Sequence, residues 1–516
     1  MKPLNILRVF LATNFLLSSV AEVRSAVVNA ASGSFADVSS AVAQAQPGDT
    51  VSIPPGTNIW TGTLQISGIT LQGSGTNQTI IVDETPPVGN GTPLIQMTTT
   101  ATMTRVTQLQ MLLGVTNTFP YQNYNGSIMV DGTSPLFRID HCLFAWLTSK
   151  PIHVDSGEYG LIDHCIFMMT NSANAIEVNG SAFGDVSWST PDTFGTSNAL
   201  FMEDNYIFSA NNFCAVDIAN GGRAVFRHNT LVGAFFGTHG SETGQRYRSV
   251  RQVEVYNNNF SWGGGQQYNN FYTACDIRGG TGVIFSNTAV GYWAIGSLNC
   301  YRATDNDTGF IPWFGATGER LWDSNGPVLL SGTASVTSNA LVIAGANWKS
   351  NQWYGCTVYN FNDQLCGVVS GNNSNTMQFA ASRSSWLQIS FTKGDSFEIH
   401  NIYPMLDQPG MGQGALLSPN NGGPSPVYLN QAPDPIYVWG NSLACMYATA
   451  TAIAPTAWST FPTLKQNRDY FNGVVKPGYT PFVYPHPFTL LNSLTTTNSA
   501  SPMSPPTLLN AVPPGA

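Results

Sequence analysis

Four short segments of the chain place an acid or a histidine between two apolar residues. They are Ile152-His153-Val154, Ile176-Glu177-Val178, Val216-Asp217-Ile218 and Cys275-Asp276-Ile277. An apolar, polar, apolar alternation is typical of a strand with one buried face, so the four middle residues should all point away from the core. Carboxylates and imidazoles at matched positions are the groups that acid–base catalysis or metal binding requires.

The spacing of these groups leaves two chemistries open. On neighbouring strands of one sheet, the carboxylates of Glu177 and Asp217 would lie about 5 Å apart, because strand spacing is about 4.8 Å. Retaining glycosidases use a carboxylate pair at about 5–5.5 Å as acid and nucleophile. Alternatively, the acidic set binds Ca²⁺, which prefers oxygen ligands, with Glu177, Asp217 and Asp276 as the metal ligands.

Basic and aromatic residues near these segments suit an acidic sugar. Removing the α-proton of a uronate requires a base and a positive group that neutralises the sugar carboxylate. The candidate bases are Lys150, His239, Arg246 and Arg248. Arg278 faces the same side as Asp276 and is expected to pair with a substrate carboxylate. Tyr272 is expected to stack on a sugar, although surface salt bridges and ordinary packing remain open for all of these residues.

A repeat in the middle of the chain indicates which elements position these groups. Ile139-Asp140-His141-Cys142-Leu143-Phe144 returns as Ile162-Asp163-His164-Cys165-Ile166-Phe167, and weaker copies follow. One column of turn residues then comprises His141, His164, Asn205, Asn229, Asn258 and Asn287, at intervals of 23, 41, 24, 29 and 29 residues. A period in the twenties with a turn residue in fixed phase predicts a solenoid of stacked coils, and the long interval is one coil carrying a loop over 181–197.

Composition agrees with a strand-rich chain and excludes several classes of protein. Of 516 residues, 9% are charged, against about 25% in average domains, and the net charge is −9. So few basic residues exclude a nucleic-acid binder, and the same shortage excludes coiled coils and charged bundles. Fifty Gly and 31 Pro indicate many turns.

The sequence also predicts the order of domains. Residues 1–26 resemble a signal peptide, with Lys2 and Arg8 before an apolar stretch, so we expect an exported protein without a membrane-spanning segment. Residues 27–322 are predicted as the solenoid, opened by a capping helix with Ser34 as N-cap. We expect a small antiparallel β insert over 323–402, the end of the solenoid and a C-terminal cap over 403–490, and a disordered tail over 491–516.

The eight cysteines fit an oxidising compartment without requiring one. Cys356 and Cys366 flank a turn-like segment, where a disulfide across a hairpin is one possibility. Cys142 and Cys165 occupy equivalent repeat positions and are expected to stack as small apolar groups. No C-x-x-C pair occurs, which argues against a cysteine zinc site.

With its column of turn residues and its opening segment Gly48–Thr57, the chain resembles the right-handed parallel β-helix proteins of the pectin-lyase-like superfamily. The resemblance covers about residues 30–320 and 430–445, and it implies extracellular polysaccharide chemistry, although the superfamily also includes non-catalytic adhesins.

Arg138–His141 and Leu161–His164 keep the I-D-H of the pectate lyase W-I-D-H segment. Arg246–Arg251 matches R-x-P-x-x-R except at the proline, and in pectate lyases an Arg of that motif is the base. Gly237–Gly240 has an extra Thr relative to the polygalacturonase G-H-G.

The sequence therefore predicts an all-β, right-handed parallel β-helix enzyme that cleaves an acidic polysaccharide, by β-elimination in preference to hydrolysis. The predicted catalytic residues are Arg246, Arg248, Arg251, His239 and His153. Lys150, Tyr272 and Arg278 are predicted to bind the substrate, and Ca²⁺ is the predicted cofactor. Two alternatives remain open: a glycoside hydrolase that uses Glu177 and Asp217, and a carbohydrate-binding adhesin without catalysis.

Overall fold

The structure is a computed structural model. It describes residues 25–86, 92–114, 126–132, 134–147, 150–155, 159–169, 174–180, 184–240, 248–262, 273–298, 328–379, 388–400, 407–413, 432–444, 451–455 and 464–492. The predicted signal peptide lies almost entirely outside these residues, and so does nearly all of the predicted tail.

The chain forms a parallel β-helix, as predicted. Each coil contributes one strand to a twelve-stranded sheet, called sheet A here, in which every neighbouring pair is parallel. Its strands, in spatial order, are Val27–Asn29, Thr50–Ser52, Thr70–Gln72, Thr104–Thr107, Phe137–Asp140, Leu161–Asp163, Leu200–Glu203, Arg223–Arg227, Gln252–Tyr256, Thr281–Phe285, Ile436–Trp439 and Tyr470–Asn472. The loop over 181–197 is confirmed as an excursion within one coil, since Leu161–Asp163 pairs directly with Leu200–Glu203.

Two further parallel ladders complete each coil. Ladder B follows sheet A after a short turn and comprises Gly56–Trp60, Thr79–Asp83, Gln110–Leu113, Leu143–Leu147, Ile166–Met169, the first part of Tyr206–Ala219, the first part of Thr230–Thr238, Asn259–Ser261, Thr288–Val290 and Ser442–Ala444. Ladder C comprises Leu64–Ser67, Ile95–Thr99, Ile128–Gly132, Ile152–Val154, Ile176–Asn179, the last parts of the two long strands, Thr273–Ile277, Ala294–Leu298 and Thr451–Pro455. The long strands join the two ladders into one eighteen-stranded sheet.

Apolar side chains fill the inside of the coils in columns. In sheet A one such column runs through Leu71, Val106, Ile139, Ile162, Met202, Phe226, Val255, Ile284 and Val438. Phe144 and Phe167 stack across ladder B with ring centroids 4.9 Å apart, which is the strand spacing. Because like residues repeat in register, each coil buries its apolar face against the next.

An asparagine ladder closes the turns between sheet A and ladder B. The side chain of Asn229 donates to Asn258 Oδ1 at 3.0 Å and to the carbonyl oxygen of Met202, while its own oxygen accepts from Asn205. The ladder continues through Asn287 to Asn441, as predicted. These amides satisfy buried backbone groups that a tight turn would otherwise leave without partners.

The two histidines were assigned to the wrong column. The residue hydrogen bonded to the amide of Asn205 is Cys165, and His164 instead has the positive φ of the position before it, as do Asp204 and His228. His141 and His164 stack with centroids 4.9 Å apart, each bonded through Nδ1 to the aspartate before it. The predicted column is therefore shifted by one residue at these two coils. The shift arises because both positions of the turn accept polar residues.

The predicted capping helix is confirmed as Phe35–Gln44, with Ser34 accepting the amide hydrogen bond of Asp37. A second helical segment, Asp185–Trp188, lies in the long loop, and a 3-10 helix spans Pro487–Asn492. None of the helices in the described ranges has the length and apolarity to span a bilayer.

Within the predicted insert the chain forms a separate six-stranded antiparallel sheet. Its strands are Val328–Thr333, Leu341–Val342, Thr357–Asn360, Leu365–Asn372, Thr376–Phe379 and Ser396–His400. They enclose their own apolar core around Val358, Phe391 and Ile399. The predicted boundaries at 322/323 and 402/403 lie outside the described residues and remain predictions.

The disulfide considered between Cys356 and Cys366 is not present, because Cys356 is a free thiol. Thr357 pairs with Val368 and Tyr359 with Cys366, so the two cysteines lie three positions out of register. Cys142 and Cys165 are buried free thiols in neighbouring coils, as predicted.

Candidate active site

The four predicted residues lie on one stripe of ladder C. His153 pairs directly with Glu177, and Glu177 pairs with Asp217, on consecutive strands. Gly237 occupies the same position on the next coil and Asp276 on the one after it. Since neighbouring strands are about 4.8 Å apart, Glu177 and Asp217 are adjacent and Asp276 is two steps beyond Asp217.

The stripe is aligned but more enclosed than a solvated strand face. The flanking apolar residues point inward and are buried, as the alternation predicts, but His153, Glu177 and Asp276 are themselves 5%, 9% and 2% exposed. Basic side chains lie over them: Lys150 contacts Glu177, and Arg278 lies beside Asp276. Solvent reaches the cluster through the partly exposed side chains of Lys150, Asp217, His239 and Arg278.

Asp217 is the centre of the cluster. Its Oδ2 lies 2.9 Å from His239 Nδ1, and its Oδ1 lies 3.7 Å from Arg278 Nη2. Burial opposes ionisation of this carboxyl, but His239, Arg278 and Lys150 outweigh burial and hold the pKa of Asp217 well below its usual range. The carboxylate therefore stays ionised at neutral pH. Its contact with Nδ1 holds the His239 ring in place and leaves Nε2 on the side of the ring away from Asp217.

Arg278 is held in place by the backbone of the neighbouring coil. Its amide donates to Thr238 Oγ1 at 2.8 Å, its Nε donates to the carbonyl oxygen of Thr238, and Nε lies 3.8 Å from Asp276 Oδ2. Gly237, between the aspartates of the neighbouring strands, has no side chain, and Cys214 Sγ lies 2.2 Å from where its Cβ would be. The guanidinium lies between these two aspartates and within 4 Å of each.

Lys150 precedes strand Ile152–Val154 and its ammonium contacts the carboxylate of Glu177. Burial lowers the pKa of Lys150 to about 8, against the opposing charge of Asp217. A lysine in this range exchanges its proton near neutral pH, as surface lysines do not.

His153 has a different environment from His239. Its Nε2 lies 2.9 Å from the amide nitrogen of Asn179, and its Nδ1 is buried without a hydrogen-bond partner in the part of the chain that the structure describes. Burial, with a further effect of the positive charge on Lys150, lowers the pKa of His153 to about 3. This imidazole therefore stays neutral and does not serve as an acid–base group near pH 7.

The residues predicted to bind Ca²⁺ do not converge as a ligand set. Each carboxylate already has a close partner: Lys150 for Glu177, His239 for Asp217, and Ser297 Oγ at 2.5 Å for Asp276. Across the part of the chain that the structure describes, no group of three His, Cys, Asp or Glu is placed to hold a metal ion. This arrangement does not fit a calcium centre, and we derive no chemistry through one.

Two of the predicted arginine bases, Arg248 and Arg251, lie in ion pairs, and the first of these pairs is fully buried. Arg248 makes two 2.6 Å hydrogen bonds to Asp407 and lies over the ring of Trp188, and Arg251 lies 3.4 Å from Asp434 and over the same ring. Both guanidinium groups are engaged by carboxylates and by the Trp188 ring, so this placement does not support either residue as the base. Arg246 and Tyr272 lie outside the described residues.

The I-D-H segments serve the coil turns. Asp140 makes two hydrogen bonds of 2.5 Å with Arg105, and Asp163 makes two of 2.7 Å with Arg138. These pairs connect neighbouring strands of sheet A and lie away from ladder C. Their role is to hold adjacent coils together.

Sequence reasoning missed the residues that position the cluster, namely Thr238, Ser297, Asn179 and Asn220. Ser297 is the stripe residue of the coil after Asp276. Asn179 follows Glu177 by two residues, and this i+2 spacing was available in the sequence as a signal. Asn220 lies at a turn, and its role depends on a contact that no local pattern reveals.

Comparison with known proteins identifies no family for this chain. Neither a protein-family model nor a curated protein matches this chain. A solved structure described as an alginate lyase from Paenibacillus sp. strain FPU-7 is similar at 16% identity and a TM-score of 0.34, over 53% of this chain and 90% of that chain. A similarity this distant carries no argument about chemistry, so the function has to be argued from the side chains.

Proposed function

We propose that the protein is a polysaccharide lyase that cleaves a uronate-containing glycan by β-elimination. The observation that carries this proposal is the gathering of Lys150, His239 and Arg278 around the ionised carboxylate of Asp217. Two basic groups and an aspartate-oriented imidazole supply what elimination from an acidic sugar requires: charge neutralisation, a base and an acid.

Each group has one part in the proposed reaction. Arg278 binds the sugar carboxylate and stabilises the negative charge that develops on it. In its neutral form, His239, held at Nδ1 by Asp217, takes the α-proton of the uronate at Nε2. The electrons of the broken C–H bond form a carbon–carbon double bond as the bond to the glycosidic oxygen breaks, and the Lys150 ammonium protonates that oxygen. The products are one chain with a new hydroxyl and one chain with an unsaturated uronate end.

The state of the carboxylates favours elimination over hydrolysis. A glycosidase needs one carboxyl that is protonated at neutral pH. The pKa of Asp217 is held low by its neighbours, and Glu177 contacts the ammonium of Lys150.

Secretion, which the first 26 residues predict, remains part of the proposal and is tested by locating the protein in a culture of its source.

The test is incubation with pectate, alginate and neutral glycans, with detection of unsaturated products by ultraviolet absorbance and of reducing ends by a colour reaction. The proposal predicts absorbance on a uronate polymer only, and at least a hundredfold loss of rate in His239→Gln, the general-base contribution being about 10²–10⁴. His141→Gln, at a partly exposed histidine that is bonded through Nδ1 to Asp140, is the matched control and should keep its rate. Reducing ends without absorbance would establish the hydrolase instead, and binding without products would leave the adhesin.

A further inference from the structure

A chain of three side chains sets the hydrogen-bonding state of His153. Asn220 donates through Nδ2 to Asn179 Oδ1 at 3.1 Å, which directs the Asn179 amide nitrogen toward His153 Nε2, 2.9 Å away. An amide nitrogen only donates, so Nε2 must be the unprotonated, accepting nitrogen of the ring. A neutral imidazole carries one proton, and that proton must then be on Nδ1.

Asn220, the first residue of this hydrogen-bonded series, is held in place by its backbone. The amide of Asn220 donates to the carbonyl oxygen of Arg248 at 3.1 Å, and the side chain of Arg248 is fixed by its two hydrogen bonds to Asp407. The backbone of Asn220 is therefore held by the segment that carries Arg248.

Among the described residues, the Nδ1–H of His153 is a donor without an acceptor. The Nδ1 atom is buried, and the residue is 5% exposed. An unmade hydrogen bond of a buried donor costs about 1–3 kcal/mol, so the site gains when a ligand supplies an oxygen. The low pKa of His153, about 3 because of burial, agrees with a group that donates without titrating.

The next strand supplies the complementary group. Glu177 pairs directly with His153 across the ladder, about 4.8 Å away, and a carboxylate has several acceptor positions beyond the one in contact with Lys150. A donor and an acceptor at this separation match a single hydroxyl, which accepts one hydrogen bond and donates another. A carboxylate cannot donate, and it would be repelled by Glu177.

We propose that His153 and Glu177 form a subsite for a free sugar hydroxyl beside the cleaved uronate, and that this subsite selects against O-acetylated chains. The proposal rests on the lyase function proposed above. An ester at that oxygen has no proton for Glu177 and adds bulk in a buried place. His153 is therefore a specificity-determining residue, with no role in proton transfer.

The protonation of His153 is measured first, independently of activity. In protein labelled with ¹⁵N-histidine, the His153 resonances, assigned by their loss in His153→Gln, should show a protonated Nδ1 and a bare Nε2. They should not change between about pH 5 and about pH 8, the range in which ordinary histidines titrate. A protonated Nε2, or titration within this range, would overturn the inference even if the protein is a lyase.

Matched variants then test the hydroxyl subsite. An asparagine side chain places its amide near the position of His Nδ1, whereas a glutamine amide lies near Nε2. We expect wild-type kcat/KM to be about tenfold higher on a de-O-acetylated polymer than on the acetylated form, equivalent to one hydrogen bond. His153→Asn should keep this preference, and His153→Gln should lose it, mainly through KM and with an unchanged pH profile. Equal discrimination by wild type and His153→Gln would refute the subsite, whereas no cleavage of any uronate polymer would refute the proposed function and leave the protonation result standing.

Discussion

At the residue scale, the behaviour of each ionisable group depends on its neighbours more than on its type. His153 lies on a strand of ladder C and His239 directly follows another, yet burial and the charge on Lys150 keep the first neutral, while Asp217 orients the second. The sequence predicted that both would lie near the acids. It gave no means of distinguishing their roles, because the distinguishing partners come from other coils.

The pH dependence of activity tests the role of Lys150. Its pKa is lowered to about 8, so the ammonium required as the proposed acid is present below that pH and is lost above it. We predict that kcat/KM falls about tenfold per pH unit above about 8, as for loss of a single proton. Lys150→Arg should retain charge and shift this decline to higher pH in a rate–pH profile. A rise in rate through pH 8 would contradict the assignment and make Lys150 the base.

The asparagine ladder gives a stability prediction. Asn229 is fully buried and bonds to Asn205, Asn258 and the carbonyl oxygen of Met202, so Asn229→Ala leaves several buried groups without partners. We expect the free energy of unfolding to fall by about 3 kcal/mol or more, measured by chemical denaturation. Asn259→Ala, at an exposed strand position, is the control and should change it by less than about 0.5 kcal/mol. Equal effects of the two variants would show that the ladder does not stabilise the turns.

At the element scale, parallel pairing in register accounts for the site. Alternation within the short strands and a period in the twenties were enough to predict that the residues of the stripe would be stacked. The same patterns placed His141 and His164 one position away from their column, since a two-residue turn tolerates polar residues at both places. Arg248 and Arg251 were misplaced for another reason: their partners, Asp407 and Asp434, lie more than a hundred residues away in sequence.

A substitution at Gly237 tests whether close packing between strands sets the position of the stripe residues. A Cβ at this position would lie 2.2 Å from Cys214 Sγ, too close for any real contact. We predict that Gly237→Ala shifts the strand that carries Thr238 and His239, lowers the free energy of unfolding by about 1–3 kcal/mol and reduces activity.

The matched control for this change is Gly296→Ala on the same ladder. Its Cβ would meet Ile284 Cδ1 at 3.6 Å, an ordinary contact. Thermal unfolding and the rate on a uronate polymer should both stay near wild type. An unaffected Gly237→Ala protein would show that this close contact does not determine the position of His239.

At the scale of the whole molecule, the fold brings residues that are distant in sequence together in one cluster. Lys150 and Arg278 are 128 residues apart in sequence, and both act on the Asp217 carboxylate. The antiparallel sheet from Val328 to His400 has its own core, separate from that of the coils. Sequence patterning predicted both of these architectures, because hydrophobic alternation and turn residues are local signals. Sequence patterning could not predict the pairing of charges around Asp217, because such pairing depends on the three-dimensional placement of side chains from several coils.

The proposed lyase reaction is tested most directly by the ratio of unsaturated chain ends to new reducing ends in a digest of a uronate polymer by the wild-type protein. Elimination forms one of each for every bond cleaved, so a lyase should give a ratio near one. A ratio near zero, with reducing ends accumulating, would mean that water cleaves the bond and that the cluster around Asp217 does not act as a lyase site.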